Sequence, residues 1–226
     1  DQELDCELVA ADHPSEYPML AERIISDRGL DIAAADFLDH FEEFQVPHST
    51  ALHARVLERG EYLVGPLARH HHHAEKLSPA ATRAARDAGL EPSCVNPFRS
   101  IIVRAVEVVH AFETAIAVID RWVRPPQAAE VVAPRPGVGH GITEAPRGLL
   151  YHRYEIDDDD LIADAVIVPP TSQNQPTIEH DLWHFVEANV HLDDEELRRR
   201  AEVTIRNHDP CISCATHFLD LTVERS

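Results

Sequence analysis

A long run of apolar residues at intervals of three and four lies between Pro97 and Trp122 and predicts the longest helix of the chain. Because residues at this spacing share one side of an α-helix, we expect that side to be buried in the core. Pro125 and Pro126 end the helix, and the proline- and glycine-rich segment to Gly141 is predicted to be a loop. The apolar side of the helix consists of Phe98, Ile102, Val106, Val109, Phe112, Ile116 and Ile119.

Three shorter helices are indicated by the residues at their ends. The segment "SPAATRAARDAGL" begins with a serine cap and a first-turn proline and closes at a glycine. Another helix follows "PPTSQNQP", and the last opens with the capping-box pair Asp193 and Glu196. Their expected bounds are 78–89, 177–190 and 193–207.

Period-two and β-branched patterns are less frequent than helical ones. "CELVAAD" near residue 6 resembles a strand, and "GLLYHRYEI" and "LIADAVIVPP" flank the acidic turn "DDDD", which predicts an antiparallel hairpin with a solvated turn. The fold class expected for residues 1–226 is therefore α+β, mainly α with a small antiparallel β hairpin. All 226 residues are expected to belong to one domain.

Composition narrows the function classes. With 226 residues and 44% hydrophobic composition the chain can form one full-sized core. A net charge of −20 argues against a nucleic-acid partner, because a polyanion needs a basic face. No apolar run approaches the roughly 20 residues that cross a bilayer, and the acidic start does not resemble a signal peptide. We expect a cytoplasmic protein with no membrane span.

Four cysteines are too few and too unevenly spaced for a disulfide framework in a chain of this length. Cys6 and Cys94 stand alone among apolar neighbours and are expected to be small buried hydrophobic residues. Cys211 and Cys214 form a Cys-x-x-Cys pair in "NHDPCISCATHFLDL", the spacing at which two thiolates can bind one metal ion.

The residues of this motif leave several functions open. Covalent haem attachment is excluded because its histidine must directly follow the second cysteine. A redox dithiol lacks the strand-to-helix setting near the chain start. Zinc could be bound by Cys211, Cys214 and His217, with His208 as a fourth ligand. The histidine tract His70–His73 is not expected to hold one ion, because successive helical residues point in different directions.

The motif "HDPCISCATHFLDL", together with "NPFRSI", "GHGITEAPRGLLYHRY" and "VPPTSQN", closely resembles the large, catalytic subunit of nickel-iron hydrogenases. The segments "PHSTALH", "YLVGPLAR" and "PTSQNQ" are most similar to the cytoplasmic, bidirectional group that exchanges electrons with NAD or NADP. The resemblance implies the C-terminal portion of the large-subunit fold. It also implies reversible oxidation of H2 to protons and electrons.

The resemblance assigns the residues at the metals. Cys211 would bind nickel as a terminal thiolate, and Cys214 would bridge nickel to an iron that carries carbon monoxide and cyanide. Arg147 would lie over the open face of the two metals, paired with Asp209, to polarise bound hydrogen or accept its proton. Around them, Pro146 and Thr171 match positions that shape and hydrogen-bond the cyanide ligands, and Glu144 is expected to lie just outside the metal ligands.

His217 is implied in two roles. In the resembling family a maturation endopeptidase cuts after this histidine once nickel-insertion proteins have acted, and the histidine then helps to hold magnesium or iron at the new C-terminus. Residues 218–226, "FLDLTVERS", are therefore expected to be an extension that is removed on maturation.

One family motif is absent from the sequence. The first cysteine pair of the family lies in an Arg-x-Cys-Gly-x-Cys motif, and neither Cys6 nor Cys94 has the spacing to replace it. We therefore expect the C-terminal portion of a large subunit, inactive alone, with an iron-sulfur small subunit and NAD(P)-reducing diaphorase subunits as partners. The alternatives are a non-catalytic relative or a zinc-binding structural protein; retained cysteines argue against the complex I relative, which has lost them.

Overall fold

A computed structural model describes residues 3, 5–130 and 132–211. The predictions for Cys214, His217 and the extension 218–226 lie outside the described residues. The strands of the described part are β1 Glu7–Asp12, β2 Leu20–Ala21, β3 Arg23–Ser26, β4 Asp31–Ala33, β5 Phe41–Phe44, β6 His53–Val56, β7 Tyr62–Leu63, β8 Gly137–Ala145, β9 Gly148–Ile156 and β10 Ile162–Val168. Its helices are α1 Phe37–His40, α2 Pro66–His73, α3 Pro79–Asp87, α4 Ser100–Arg121, α5 Pro170–Asn189 and α6 Asp194–Asn207.

The predicted hairpin is confirmed as β9 and β10, which pair antiparallel across the acidic turn. It belongs to a larger sheet with strand order β10-β9-β8-β2 in the described part of the chain. The loop predicted up to Gly141 is wrong, because Gly137–Ala145 is strand β8 and pairs with β9 over its whole length. Glycine is unfavourable in strands, so the alternating glycines of this segment hid its β structure.

A second sheet has strand order β4-β3-β1-β7, and β5 and β6 form a separate two-stranded ribbon among the described residues. The strand expected near "CELVAAD" is β1, which is buried at the sheet centre. The α+β class is confirmed, and its β part extends well beyond one hairpin. The apolar core has two clusters, one between the sheets and the ribbon and one where α2, α3 and α4 pack on β1.

The long helix α4 is confirmed, with a short 3-10 turn over Pro97–Arg99 before it. Of the predicted apolar side only Val106 is fully buried among the described residues, together with Val103, which was not assigned to that side. The expectation that the whole side is core is wrong: Phe112 is 68% exposed and Ile119 is 71% exposed. Helices α2 and α3 pack against the first part of α4, and the described part of the chain leaves the second part open.

Helices α3 and α6 begin where predicted, but the Ser78 side chain makes no capping hydrogen bond at the start of α3. Pro79 begins α3, and the side chain of Asp193 accepts a hydrogen bond from the Glu196 amide at 2.9 Å at the start of α6. Helix α5 begins seven positions before the expected 177, at Pro170. Polar side chains of "PTSQNQP" hydrogen-bond to backbone groups that are distant in sequence. Local sequence signals therefore do not reveal this first part of the helix.

Cys6 and Cys94 are each 7% exposed within the helical cluster, which confirms their expected burial. The four histidines of the tract on α2 reach four different acceptors or donors, so they do not converge on one point. Their ring nitrogens contact Glu91 O, Ser93 Oγ, Leu8 O and Ala11 O respectively. Within the described residues, no helix combines the length and the apolar composition needed to cross a bilayer.

Candidate functional site

The side chain of Arg147 reaches the end of α6 and contacts Asp209. Its Nε donates to the Asp209 carbonyl oxygen at 2.6 Å, and its Nη2 lies 3.4 Å from Asp209 Oδ1. Because two nitrogens of the planar guanidinium contact the same residue, its orientation is fixed better than by a single contact. Arg147 and Asp209 are both half-buried, so the pair is accessible from one side. The structure thus brings together two of the residues that the sequence singled out, two positions before Cys211.

The backbone at Asp209 is bent sharply by local structure. Asp209 has a φ of 50°, in the left-handed region, and its amide bonds to Arg206 O at 3.0 Å. This conformation ends α6, and Pro210 prevents the helix from continuing. The chain therefore leaves the helix at a fixed angle just before Cys211.

Helices α4 and α5 hold this bend in place. Ser100 Oγ donates to the Asn207 carbonyl at 2.5 Å. His208 Nε2 lies 2.7 Å from Asp181 Oδ2, and both side chains are almost completely buried. Because Asp181 occupies Nε2, Nδ1 is the ring nitrogen of His208 that would be left for a zinc ion. Sequence reasoning considered His208 only as a ligand and missed Asp181, because the two residues are 27 positions apart.

Two glycines allow the loop of Arg147 to approach the start of α2. A β-carbon on Gly65 would lie 2.5 Å from the Arg147 carbonyl oxygen, and one on Gly148 would lie 2.4 Å from Val64 Cγ2. Their φ angles are +107° and +137°, which L side chains rarely adopt. Gly65 of "VGPLAR" and Gly148 of "APRG" are therefore both required at one place, where the backbone before α2 contacts the backbone of the Arg147 loop.

Buried polar side chains at the start of α5 bind the segments on either side of this contact. Asn174 accepts from the Val64 amide at 2.8 Å and donates to the Val64 carbonyl at 3.2 Å. Gln173 donates to the Leu149 carbonyl at 2.6 Å. Backbone groups that would otherwise be buried without partners are thereby satisfied. The motif "TSQN" thus works largely through main-chain hydrogen bonds, a role that its sequence alone did not show.

The buried guanidinium of Arg69 binds two backbone carbonyls of the loop that carries Arg147. Arg69 Nη1 donates to the Ala145 carbonyl at 2.8 Å and Nη2 donates to the Pro146 carbonyl at 3.1 Å. The same side chain pairs with Glu107 at 2.7 Å and with Glu144 at 2.9 Å. Glu144 thus contacts the loop through Arg69, and its carboxylate is 2% exposed. Arg69 and Glu107 were missed because their partners lie far away in sequence.

Burial sets the ionisation of this network. Desolvation raises the pKa of Glu144 above its usual range, opposed by the charge of Arg69 and by the hydrogen bond from the Ala11 amide. Tyr17 donates to Glu107 at 2.6 Å, and desolvation followed by the Glu107 charge raises its pKa well above the usual value. Two carboxylates around one guanidinium leave an excess negative charge, which favours retention of a proton here.

Thr171 is 4% exposed, and its Oγ1 has no hydrogen-bond partner among the described residues. An unsatisfied buried hydroxyl is costly, so it fits a position that a further group completes. Thr171 lies one turn before Asn174 on α5, beside Glu43 and Thr50 in a small cleft. The described residues show no direct contact between Thr171 and Arg147. Pro146 is exposed at the turn of the loop.

Cys211 is half-buried, as are Asp209 and Pro210. These three residues therefore do not belong to the buried core of the described chain. The described chain covers the site from the sides of α2, α4 and α5 and leaves another side open. Cys211 is a half-buried cysteine two positions after the residue that holds the Arg147 guanidinium, and thiolates are the preferred ligands of soft metal ions.

The chain is similar to known proteins in sequence and in fold. Residues 64–217 match the model of a family described as nickel-dependent hydrogenase. The chain is 29% identical over 210 residues to sulfhydrogenase 1 subunit alpha of Pyrococcus furiosus, covering 91% of this chain and 48% of that protein. It is 32% identical over 201 residues to the NAD-reducing hydrogenase HoxS subunit beta of Cupriavidus necator, covering 81% of this chain and 40% of that protein.

The fold is similar to that of a solved NAD+-reducing [NiFe]-hydrogenase in the H2-reduced state. The TM-score is 0.79 at 23% identity, over 96% of this chain and 51% of the solved chain. The chain matches these proteins over most of its own residues. It spans only about half of their length.

Proposed function

The chain belongs to the nickel-dependent hydrogenase family, and from this premise we propose that it contributes the C-terminal part of a site for reversible H2 oxidation. The proposed reaction converts H2 into two protons and two electrons. The observation that carries the proposal is the Arg147–Asp209 contact, which fixes a guanidinium at the residue two positions before the first cysteine of the Cys-x-x-Cys pair.

In this proposal Cys211 and Cys214 would hold nickel, and Cys214 would also hold an iron that carries carbon monoxide and cyanide ligands. When bound, the two metals supply a centre that polarises H2 and takes up its electrons. Soft thiolates suit such metals. The buried Thr171 hydroxyl without a partner fits a donor to a cyanide ligand, and Pro146 shapes the same surroundings.

Arg147 and Asp209 act on the proton. A guanidinium held in one orientation presents fixed positive charge to the open side of the site, so no reorganisation is needed when charge develops there. The Asp209 carboxylate, half-exposed and hydrogen-bonded to Arg147, is the proposed group for passing the proton toward solvent. Arg69 and Glu144 position the loop without contacting the reacting atoms.

The proposed site needs two further thiolates, which relatives carry in the Arg-x-Cys-Gly-x-Cys motif. Cys6 and Cys94 do not supply them, because both side chains are buried in the apolar cluster of α2, α3 and α4. We propose that these thiolates come from polypeptide outside the 226 residues, and that this chain alone is inactive.

The names of the relatives support the remaining parts of the proposal. One is the NAD-reducing hydrogenase HoxS subunit beta and another is sulfhydrogenase 1 subunit alpha, so both are subunits of larger enzymes. We propose an iron-sulfur small subunit as the electron acceptor and NAD(P)-reducing diaphorase subunits beyond it, in the cytoplasm. Nickel-insertion proteins and an endopeptidase would then mature the chain by cutting after His217. This cut would remove residues 218–226 and leave His217 to help hold magnesium or iron.

Arginine-to-lysine exchange tests the proposal. In the complex purified from its own host, Arg147→Lys is expected to lower H2-dependent reduction of an electron acceptor by about 100-fold or more, the scale of losing one fixed donor. Nickel and iron content should not change. The matched control is Arg153→Lys on β9, whose guanidinium pairs with Glu155 and Asp164 on the hairpin. Equal activity of both variants would contradict the proposal.

A further inference from the structure

Two histidines from the segment "PHSTALH" meet a carboxylate of α5 away from the cysteines. His48 Nε2 lies 3.1 Å from Glu179 Oε2, and His53 Nε2 lies 2.9 Å from Glu179 Oε1. One donor atom from each of the three residues lies within 4.8 Å of the other two. The fold therefore brings together two imidazole nitrogens and a carboxylate from residues about 130 positions apart.

The orientation of His53 is fixed by its second ring nitrogen. His53 is 2% exposed, and its Nδ1 lies 3.2 Å from the Ala51 carbonyl oxygen. Because a carbonyl oxygen can only accept, Nδ1 must carry the proton in this contact. Nε2 then directs a lone pair at the Glu179 carboxylate, unless a cation lies between them. That cation is either a second proton on the ring or a metal ion, and a backbone carbonyl on the opposite nitrogen is the usual support of a metal-binding histidine.

The distances also suit a metal ion. Zinc binds imidazole nitrogen and carboxylate oxygen at about 2.0 to 2.2 Å with tetrahedral angles, which places neighbouring ligand atoms about 3.3 Å apart. The three nitrogen-to-oxygen distances here, 2.9, 3.1 and 3.2 Å, are already close to that edge length. The third edge of the site, between the two imidazole nitrogens, lies within 4.8 Å.

The surroundings leave space for a fourth ligand. The side chain of His48 is 62% exposed and that of Glu179 is 37% exposed, so water reaches the cluster from the His48 side.

We propose that His48, His53 and Glu179 form a binding site for one Zn²⁺ ion, with solvent as the fourth ligand. The ion lies between the two imidazole rings and the Glu179 carboxylate, and no electrons are transferred. Since His53 lies on β6 and Glu179 on α5, the bound ion also fastens the β5–β6 ribbon to the helix that carries Asn174. The site is independent of the proposed nickel-iron centre and uses none of its ligands.

Zinc titration of the full-length chain tests this site. Cys211→Ser and Cys214→Ser are introduced first, so that zinc on the thiolate pair is not counted. Competition with a chromophoric chelator should then show one ion per chain, and X-ray absorption should show nitrogen and oxygen ligands near 2.0 to 2.1 Å. His48→Ala and Glu179→Gln should each weaken zinc binding by about tenfold or more.

The controls separate the proposed site from its neighbours. His48 is exposed, so His48→Ala should fold normally and keeps the test valid if Glu179→Gln does not fold. His191→Gln, an exposed histidine, should bind zinc like the parent. His184→Ala probes the adjacent pair of His184 and His180, whose nitrogens also lie close together. Unchanged zinc affinity in His48→Ala would overturn the proposal, as would loss of binding in His184→Ala alone.

Discussion

The α-carbon of Gly65 lies so close to Arg147 that a β-carbon on Gly65 would stand 2.5 Å from the Arg147 carbonyl oxygen. The start of α2 and the loop that carries Arg147 are therefore in backbone-to-backbone contact. Asn174 reinforces this contact by donating to the Arg147 carbonyl at 3.4 Å while it holds Val64. The position of the Arg147 guanidinium thus depends on a glycine more than 80 positions earlier.

Gly65→Ala should destabilise the chain by roughly 2 to 5 kcal/mol, because it adds left-handed backbone strain to a steric overlap with backbone atoms. Gly60→Ala is the matched control. Its φ of +96° is similar, but nothing lies within 4 Å of the added carbon, so only the strain of about 1 to 2 kcal/mol is expected. Urea unfolding of both variants measures the difference, and equal losses would contradict the close contact.

The ionisation of Glu144 predicts a pH dependence of stability. Burial raises its folded pKa above the ordinary value of 4.5, so the folded chain keeps a proton that the unfolded chain releases. Its contribution is fully favourable below pH 4.5 and is lost as the pH rises through the folded pKa. The difference in unfolding free energy between Glu144→Gln and the parent should therefore move in favour of the variant as pH rises. A pH-independent difference would contradict the raised pKa.

Cys6 should resist alkylation in the folded chain. Burial, followed by the charges of Glu61 and Asp27, raises its pKa to about 12. At pH 8 only about one thiol in ten thousand would be ionised, and the thiolate is the reactive form. Peptide mapping after brief iodoacetamide treatment should find Cys6 unmodified without urea and modified with urea. Rapid labelling of Cys6 in the folded state would show that it is available as a ligand.

The open part of α4 predicts two different responses to truncation. Phe112→Ala should change the unfolding free energy by less than about 0.5 kcal/mol, because Phe112 is 68% exposed. Val106→Ala should cost roughly 2 kcal/mol, because Val106 is 3% exposed. Sedimentation should show less self-association for Phe112→Ala than for the parent, since a large apolar patch is reduced. A large stability loss for Phe112→Ala would mean that this side is covered within the chain.

Local signals in the sequence predicted the elements whose causes are local. The capping box placed the start of α6, and the alternating runs around the acidic turn placed β9 and β10. Strand β8 was missed because three of its residues are glycines, and the start of α5 was missed because its side chains bond to distant backbone.

The candidate site also has a part that the sequence predicts and a part that only the fold reveals. Arg147 and Asp209 could be singled out because their motifs resemble a known family, and the structure places them in contact. The Arg69 network could not be found from sequence, since its partners lie 38 to 77 positions away and only the fold brings them together. The exposed half of α4 was missed because helical periodicity shows which residues share a side and does not show what covers it.

Nickel and iron content tests the central claim most directly. The chain should be purified from its own host with its natural partners and compared with a Cys211→Ser variant prepared in the same way. The proposed function predicts one nickel and one iron at the thiolate site of the parent, and nickel at background level in the variant. Zinc or no metal at that site in the parent, or nickel retained by the variant, would contradict the assignment of Cys211 to a nickel-iron centre.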